Sequence, residues 1–394
     1  MKLLSRKIFL ECFKVFIITL GVLLLFILLG RAMQLREMLL GLEMGFADVL
    51  KLFACLSPFF LSMLTPVACM LAVFLTFLRM STDRELIALK AGGVSLYQLL
   101  PAPLFFAVLC MLFSLWLSLD ILAMGMSGFR QNILDIAENR AKIALQPGTF
   151  NRNIPGMVLF VRRLDTESNT LADVMIEDRS VKDGVTAILA PRGSIDTNYG
   201  EGSLVFLLKD GTMFIDRGNG DATVVDFGEY AVSFSLDGIF KGIDLGPVRP
   251  KEMAWSELRA FDLDEVAAKD TRMANKILVE MNKRLIFPLA CLVLTIFALP
   301  LATAFEGVRR QTGLVLGLIV FLVYYAVLSV GISMGESAAL DPLVGMWLPS
   351  GLFMLAGMYG IYLVANERMP RLNLVSGAAA RLGRRLFRRG RAAG

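Results

Sequence analysis

The chain of 394 residues contains no histidine, so the commonest general base and metal ligand is missing. Its cysteines, Cys12, Cys55, Cys69, Cys110 and Cys291, show no metal-ligand spacing. No G-x-x-x-x-G-K-[ST] loop is present to cradle a nucleotide phosphate. The remaining candidates are charged side chains placed for recognition rather than for bond making. No cofactor is expected, and any ATP must be hydrolysed by a separate subunit.

Such a subunit needs a handle. Ser81 to Gly93 reads S-T-D-R-E-L-I-A-L-K-A-G-G, with Asp83, Arg84, Glu85 and Leu86 as candidate coupling residues. Thr82 and Glu85 match a capping box, Asp83 suits the positive end of a helix, and Gly92 or Gly93 can end it in the left-handed conformation. The spacing predicts one short capped helix with Leu86, Ile87 and Leu89 displayed. Glu85 either caps that helix or docks a partner, and the two roles are compatible.

Arg31 and Arg36 follow the first apolar run. Guanidinium forks suit phosphate oxygens, so both are candidates for a lipid headgroup; the alternative is an interfacial anchor that snorkels. Gly313 with Gly317 and Gly331 with Gly335 form two G-x-x-x-G patterns. Small residues allow close helix contact, as a fixed seam or as a gate between weakly held helices. Glu280 and Arg284 lie one turn apart and are expected to pair.

These residues hang on six charge-free apolar runs: 15–30, 52–78, 94–119, 285–305, 312–335 and 342–366. Most exceed the roughly 20 residues a helix needs to cross a bilayer, and backbone in lipid must be helical to satisfy its own hydrogen bonds. A hydrophobic content of 56% and a mean hydropathy of +0.64 agree. The first run is too long for a signal-peptide core and is expected to stay as a helix. With the N-terminus inside, segments 1–14, 79–93, 306–311 and 367–394 hold 17 basic residues against 3 in segments 31–51 and 336–341. That bias places both termini in the cytoplasm and the insert 120–284 outside. The Arg-rich tail is expected on anionic lipid. None of the runs carries Asp, Glu, Lys, Arg or His, which argues against a proton-driven carrier.

The insert reads as short strands, 157–163, 171–178, 184–190, 203–209, 212–217, 222–227 and 230–236, separated by turn clusters such as Lys182-Asp183-Gly184 and Lys209-Asp210-Gly211. Helical stretches 120–146 and 255–284 flank them. Leu204 to Leu208 is apolar on both faces, as in a central core strand or a strand lining an apolar groove. Phe206 and Phe234 are the candidates for acyl-chain contact in such a groove.

The order of parts resembles the LptF/LptG (YjgP/YjgQ) permeases of the lipopolysaccharide exporter. The resemblance rests on the 3+3 helices around a β insert, on E-L-I-A-L-K-A-G-G at Glu85 to Gly93, on P-G-x-F at Pro147 to Phe150, and on Glu280, Arg284 and Pro288 in E-x-x-x-R-x-x-x-P. It implies a membrane α-helical fold, with transmembrane parts 1–119 and 285–366, a periplasmic β-jellyroll-like domain over 120–284, a coupling helix at 81–93 and a basic tail at 367–394. The implied setting is the inner membrane of a Gram-negative bacterium. It also implies an LptF–LptG heterodimer, an LptB-type ATPase dimer that meets Glu85, an LptC-type β-jellyroll partner, and lipopolysaccharide as cargo, with Arg31 and Arg36 near lipid A phosphates. Leu340-Asp341-Pro342 is more similar to LptF than to LptG. Two rivals are an ABC permease for another lipid or lipoprotein, and a membrane-anchored β-domain receptor; the 3+3 count and the capped loop helix argue against both.

Overall fold

The computed structural model describes residues 2–41, 45–144, 147–151, 157–165, 170–178, 185–201, 203–216, 222–235, 247–304 and 310–366. Among these, six helices are long and apolar enough to cross a membrane: Lys2–Met33, Ala47–Thr82, Leu96–Ile136, Thr271–Thr303, Val315–Glu336 and Pro342–Ala365. The helices are α1 (Lys2–Gly41), α2 (Phe46–Thr82), α3 (Glu85–Ala91), α4 (Leu96–Leu99), α5 (Pro101–Trp116), a π-helical turn (Leu117–Ile121), α6 (Leu122–Ala144), α7 (Trp255–Ala260), α8 (Leu263–Lys269), α9 (Thr271–Ala304), α10 (Arg310–Glu336) and α11 (Pro342–Ala365). Among the described residues, six strands lie between α6 and α7. The chain divides into two compact units, residues 1–27, 57–123 and 254–394 in one, and 28–56 and 124–253 in the other.

In the first unit α2 and α9 are the most enclosed spans, while α1 and α10 are the least. Pro58 and Pro66 interrupt the hydrogen bonding of α2, and nearby polar side chains bond its carbonyls. The Thr65 hydroxyl donates to Leu61 O at 2.6 Å, and the Tyr325 hydroxyl of α10 donates to Met63 O at 2.9 Å. α11 starts at a defined point: Asp341 accepts from the Leu343 N–H at 2.8 Å and Pro342 fills the first turn.

The glycine patterns mark helix contacts within this unit. A Cβ at Gly317 would sit 3.0 Å from Phe74 of α2, and one at Gly335 would sit 3.1 Å from Val279 of α9 and 3.3 Å from Pro342 of α11. At Gly331 it would collide with the Gly345 carbonyl of α11. Gly313 lies in α10, but its surroundings are outside the described residues. Glu280 and Arg284 pair at 3.3 Å, with the Arg284 side chain 1% exposed.

The second unit carries an antiparallel sheet in which the strands pair in chain order: β1 (Phe150–Asn151), β2 (Met157–Asp165), β3 (Thr170–Asp178), β4 (Val185–Asn198), β5 (Ser203–Asp216) and β6 (Ala222–Ser235). Pro147 to Phe150 enters it through Gly148 at φ 80°, whose N–H donates to Val161 O. Three expectations need correction. Segments 203–209 and 212–216 form one strand, 222–227 and 230–235 form one strand, and 185–190 continues to Asn198, while Gly184, Arg217 and Leu236 lie outside the described residues. Lys209-Asp210-Gly211 is therefore no turn, while Lys182-Asp183-Gly184 lies outside the described residues.

The apparent turns are a row across the sheet. Asp173, Pro191, Asp210 and Gly228 fall opposite one another in the register, and the pairings at those positions are missing from the ladders, as is that of Ala190 with Gly211 between β4 and β5. Asp173 and Asp210 are left-handed, at φ 50° and 55°, a region that Asp tolerates better than most residues. Proline has no N–H for the ladder. The row resets the side-chain alternation: the buried positions run Leu171 then Val174 and Ile176, Ile188 and Ala190 then Ile195, and Phe206 and Leu208 then Gly211. One unpaired residue per strand, all in register, keeps the same face inside on both sides of the line. Arg162 with Asp173 at 3.3 Å, Arg192 with Asp210 at 2.7 Å and Lys209 with Glu229 at 3.0 Å flank it.

That inner face is closed by helices. Val161, Val174, Ile188, Ile195, Phe206 and Leu208 share one core cluster with Leu52 of α2 and Ile133 and Leu134 of α6.

Candidate functional site: the loop helix

α2 runs through Ser81 and Thr82, and the chain then turns at Arg84 in the left-handed conformation, φ 60°, before α3 begins at Glu85. The expected capping box is not formed. The Thr82 hydroxyl donates to Leu78 O at 2.9 Å, inside its own helix, and α3 has no side-chain cap. The reason is that α2 extends one turn further than the apolar run, which takes Thr82 out of the N-cap position. Gly93, at φ 82°, ends the segment as expected, with the Val94 N–H donating to Leu89 O.

Leu86, expected on display, is 5% exposed, while Ile87 is 45% exposed. Leu86 turns inward beside Val94, Leu96, Leu99, Thr303 and Val364, which line a small space with it. A seven-residue helix cannot stand alone in water, and this buried leucine fixes α3 to its unit. Asp83 and Arg84 before α3 and Ile87 on its other face are exposed, and Lys90, exposed as well, borders the same space as Leu86.

Freed from capping, Glu85 faces a cation that the sequence had not singled out. Arg79, in the last turn of α2, lies 2.6 Å from Glu11 of α1, 3.9 Å from Glu85 and 4.0 Å from Asp83. All four side chains are partly exposed. The Arg79–Asp83 spacing of four residues on a helix was readable, whereas Glu11, 68 residues away, was not.

The other expected sites are separate from this one. Arg31 is exposed on α1, and the side chain of Arg36 lies outside the described residues. Phe206 is 1% exposed within the closed core of the sheet, so in this state the core-strand alternative describes it and an open groove does not. Ile133 and Leu134 of α6 occupy that face. The side chain of Phe234 lies outside the described residues. The cysteines are free thiols, and among the described residues no group of three His, Cys, Asp or Glu side chains could hold a metal.

Six spans, an inserted antiparallel sheet and a charged loop helix make up the plan of a multi-pass membrane protein. The pattern of the family described as lipopolysaccharide export system permease LptF/LptG matches residues 6–363, and the chain belongs to that family. It is also similar to the uncharacterized protein RP871 of Rickettsia prowazekii (strain Madrid E), with 24% identity over 266 residues, 67% of this chain and 72% of the relative. The protein is thus a permease-type component of the inner membrane that works with partner subunits.

Proposed function

We propose that the chain is one permease of a lipopolysaccharide exporter, paired with a second permease of the family, driven by an LptB-type ATPase dimer and continued by an LptC-type β domain. Leu340-Asp341-Pro342, the cap of α11, supports the LptF position in that pair. With the basic segments inside, α3 lies in the cytoplasm and the sheet in the periplasm. The ATPase docks on the outward face of α3, and Glu85 is the group it engages. Arg31 offers its guanidinium to a lipid A phosphate.

The observation that carries the reading is the state of Glu85. It does not cap its helix, it stands at ion-pair distance rather than hydrogen-bond distance from Arg79, and its side chain is 38% exposed. A carboxylate held this loosely is available to a partner's cation. The test is lipid release from vesicles containing the full complex with Glu85→Lys. Loss of release with continued ATP hydrolysis is expected; an unchanged release rate would remove Glu85 from coupling.

For the headgroup, lipid co-purified per folded complex is the measure. Arg31→Glu is expected to lower it more than Arg31→Lys, because the sign of the charge acts at longer range than the fork geometry. A normally assembled Arg31→Glu complex with its full lipid content would exclude Arg31.

A further inference from the structure

α1 is the span least held by its own chain, with 11% of its most apolar stretch buried. Its buried residues Ile8, Cys12, Phe16 and Leu20 recur every four positions, a single stripe. Phe9 and Phe16 meet Phe106 of α5 through ring contacts at 5.8 and 5.7 Å. Glu11 projects from beside this stripe to Arg79. The guanidinium thus ties a loosely packed span to the end of α2, from which α3 hangs.

The details of the tie matter. Glu11 Oε2 and Glu85 Oε1 approach the same nitrogen, Nη2 of Arg79, at 2.6 and 3.9 Å. Asp83 stands 4.0 Å from Nε. Three carboxylates around one guanidinium leave an excess of two negative charges, so a further cation entering from a partner is favoured. Such a cation would take Glu85, the looser of the two acids on Nη2.

We propose that Arg79 is a positioning residue that links the loop helix to α1, with Glu11 and Glu85 sharing Nη2. This deepens the coupling role proposed for Glu85 and rests on it. When a basic side chain of the ATPase engages Glu85, Arg79 is left to Glu11 and α1 is held against α2. When that side chain withdraws, Glu85 returns as a competitor and the hold on α1 weakens. Nucleotide-dependent movement of the ATPase then reaches a transmembrane helix through one shared donor.

The test uses the complete complex of both permeases and the ATPase in lipid vesicles, and reads ATP hydrolysed per lipid released. Glu11→Gln keeps the shape of the side chain and removes the charge, so the complex should assemble. The ratio is expected to rise about fivefold, the factor equivalent to about 1 kcal/mol for a partly exposed ion pair. Arg79→Gln should do the same, the double variant should be no worse than either single one, and Arg79→Lys should recover part of the effect. A support that is merely structural would lower thermal stability and leave the ratio unchanged. An assembled Glu11→Gln complex with the wild-type ratio overturns the link, as do additive effects in the double variant. Glu85→Lys serves as the separating arm. Should it leave release intact, the coupling role itself fails; should it uncouple while Glu11→Gln does not, only the link to α1 fails.

Discussion

A buried ion pair can matter more to a fold than a set of exposed ones, and Arg130 is the case here. It donates from Nε to Tyr199 O at 2.8 Å, from Nη2 to Gly200 O at 3.2 Å and from Nη1 to Glu252 at 3.2 Å, with both charged side chains 7% exposed. It thereby fastens α6 to the β4–β5 hairpin and to the returning segment at Pro250–Glu252. Arg130→Met is expected to destabilise the second unit by about 3–5 kcal/mol, because Glu252 would stay buried without its main partner. Thermal unfolding of the full chain, followed by amide exchange in β4 and β5, checks it. An exposed pair such as Lys269–Glu265 should contribute about 0.3–0.5 kcal/mol. Phe206→Ala is expected to cost about 3–5 kcal/mol, as for any large side chain removed from a closed core.

At the scale of elements, the row of Asp173, Pro191, Asp210 and Gly228 explains how strands of 14 residues keep one apolar face. A β-branched residue is strained at positive φ, by about 1–2 kcal/mol, so Asp210→Ile should be destabilising while Asp210→Gly should be tolerated. Equal stability of the two variants would mean that the left-handed backbone does not set the row. The helices have a parallel case in the seam between α10 and α11. Gly331→Ala places a methyl on the Gly345 carbonyl and should cost about 1–3 kcal/mol by overpacking. Gly21, where a Cβ meets nothing, is the control.

For the whole molecule, the exposed apolar faces of α1 and α10 fit a chain surrounded by lipid and by a second membrane subunit. Phe13, Ile17, Val22 and Phe26 on α1, and Val315, Leu318, Leu322 and Val330 on α10, are open in the isolated chain. The orientation proposed above rests on the basic segments. A cysteine placed at Asp165 should react with a membrane-impermeant thiol reagent in intact spheroplasts, and one at Lys90 only after permeabilisation. Both positions are exposed, so the reverse labelling pattern would invert the topology.

The sequence by itself determined the six spans, the position of the β insert, the end of the loop helix at Gly93 and the pairing of Glu280 with Arg284. Each depends on residues within one element, where apolar length, turn chemistry and one-turn spacing act locally. Tertiary structure decided the rest. Lys209-Asp210-Gly211 has the composition of a turn, and only the pairing of Lys209 with Arg192 and Glu229 and of Gly211 with Phe227 shows it to be a point inside a long strand. Leu86 is apolar and could face outward or inward; packing in its unit turned it inward. Thr82 and Glu85 have capping-box spacing, but the extension of α2 gave Thr82 a different acceptor. Arg79 with Glu11, Arg130 with Glu252 and Tyr325 with Met63 join residues 68, 122 and 262 positions apart. Contacts of that separation leave no periodic trace in a chain, because they are fixed by how helices and strands pack after the local pattern has formed them.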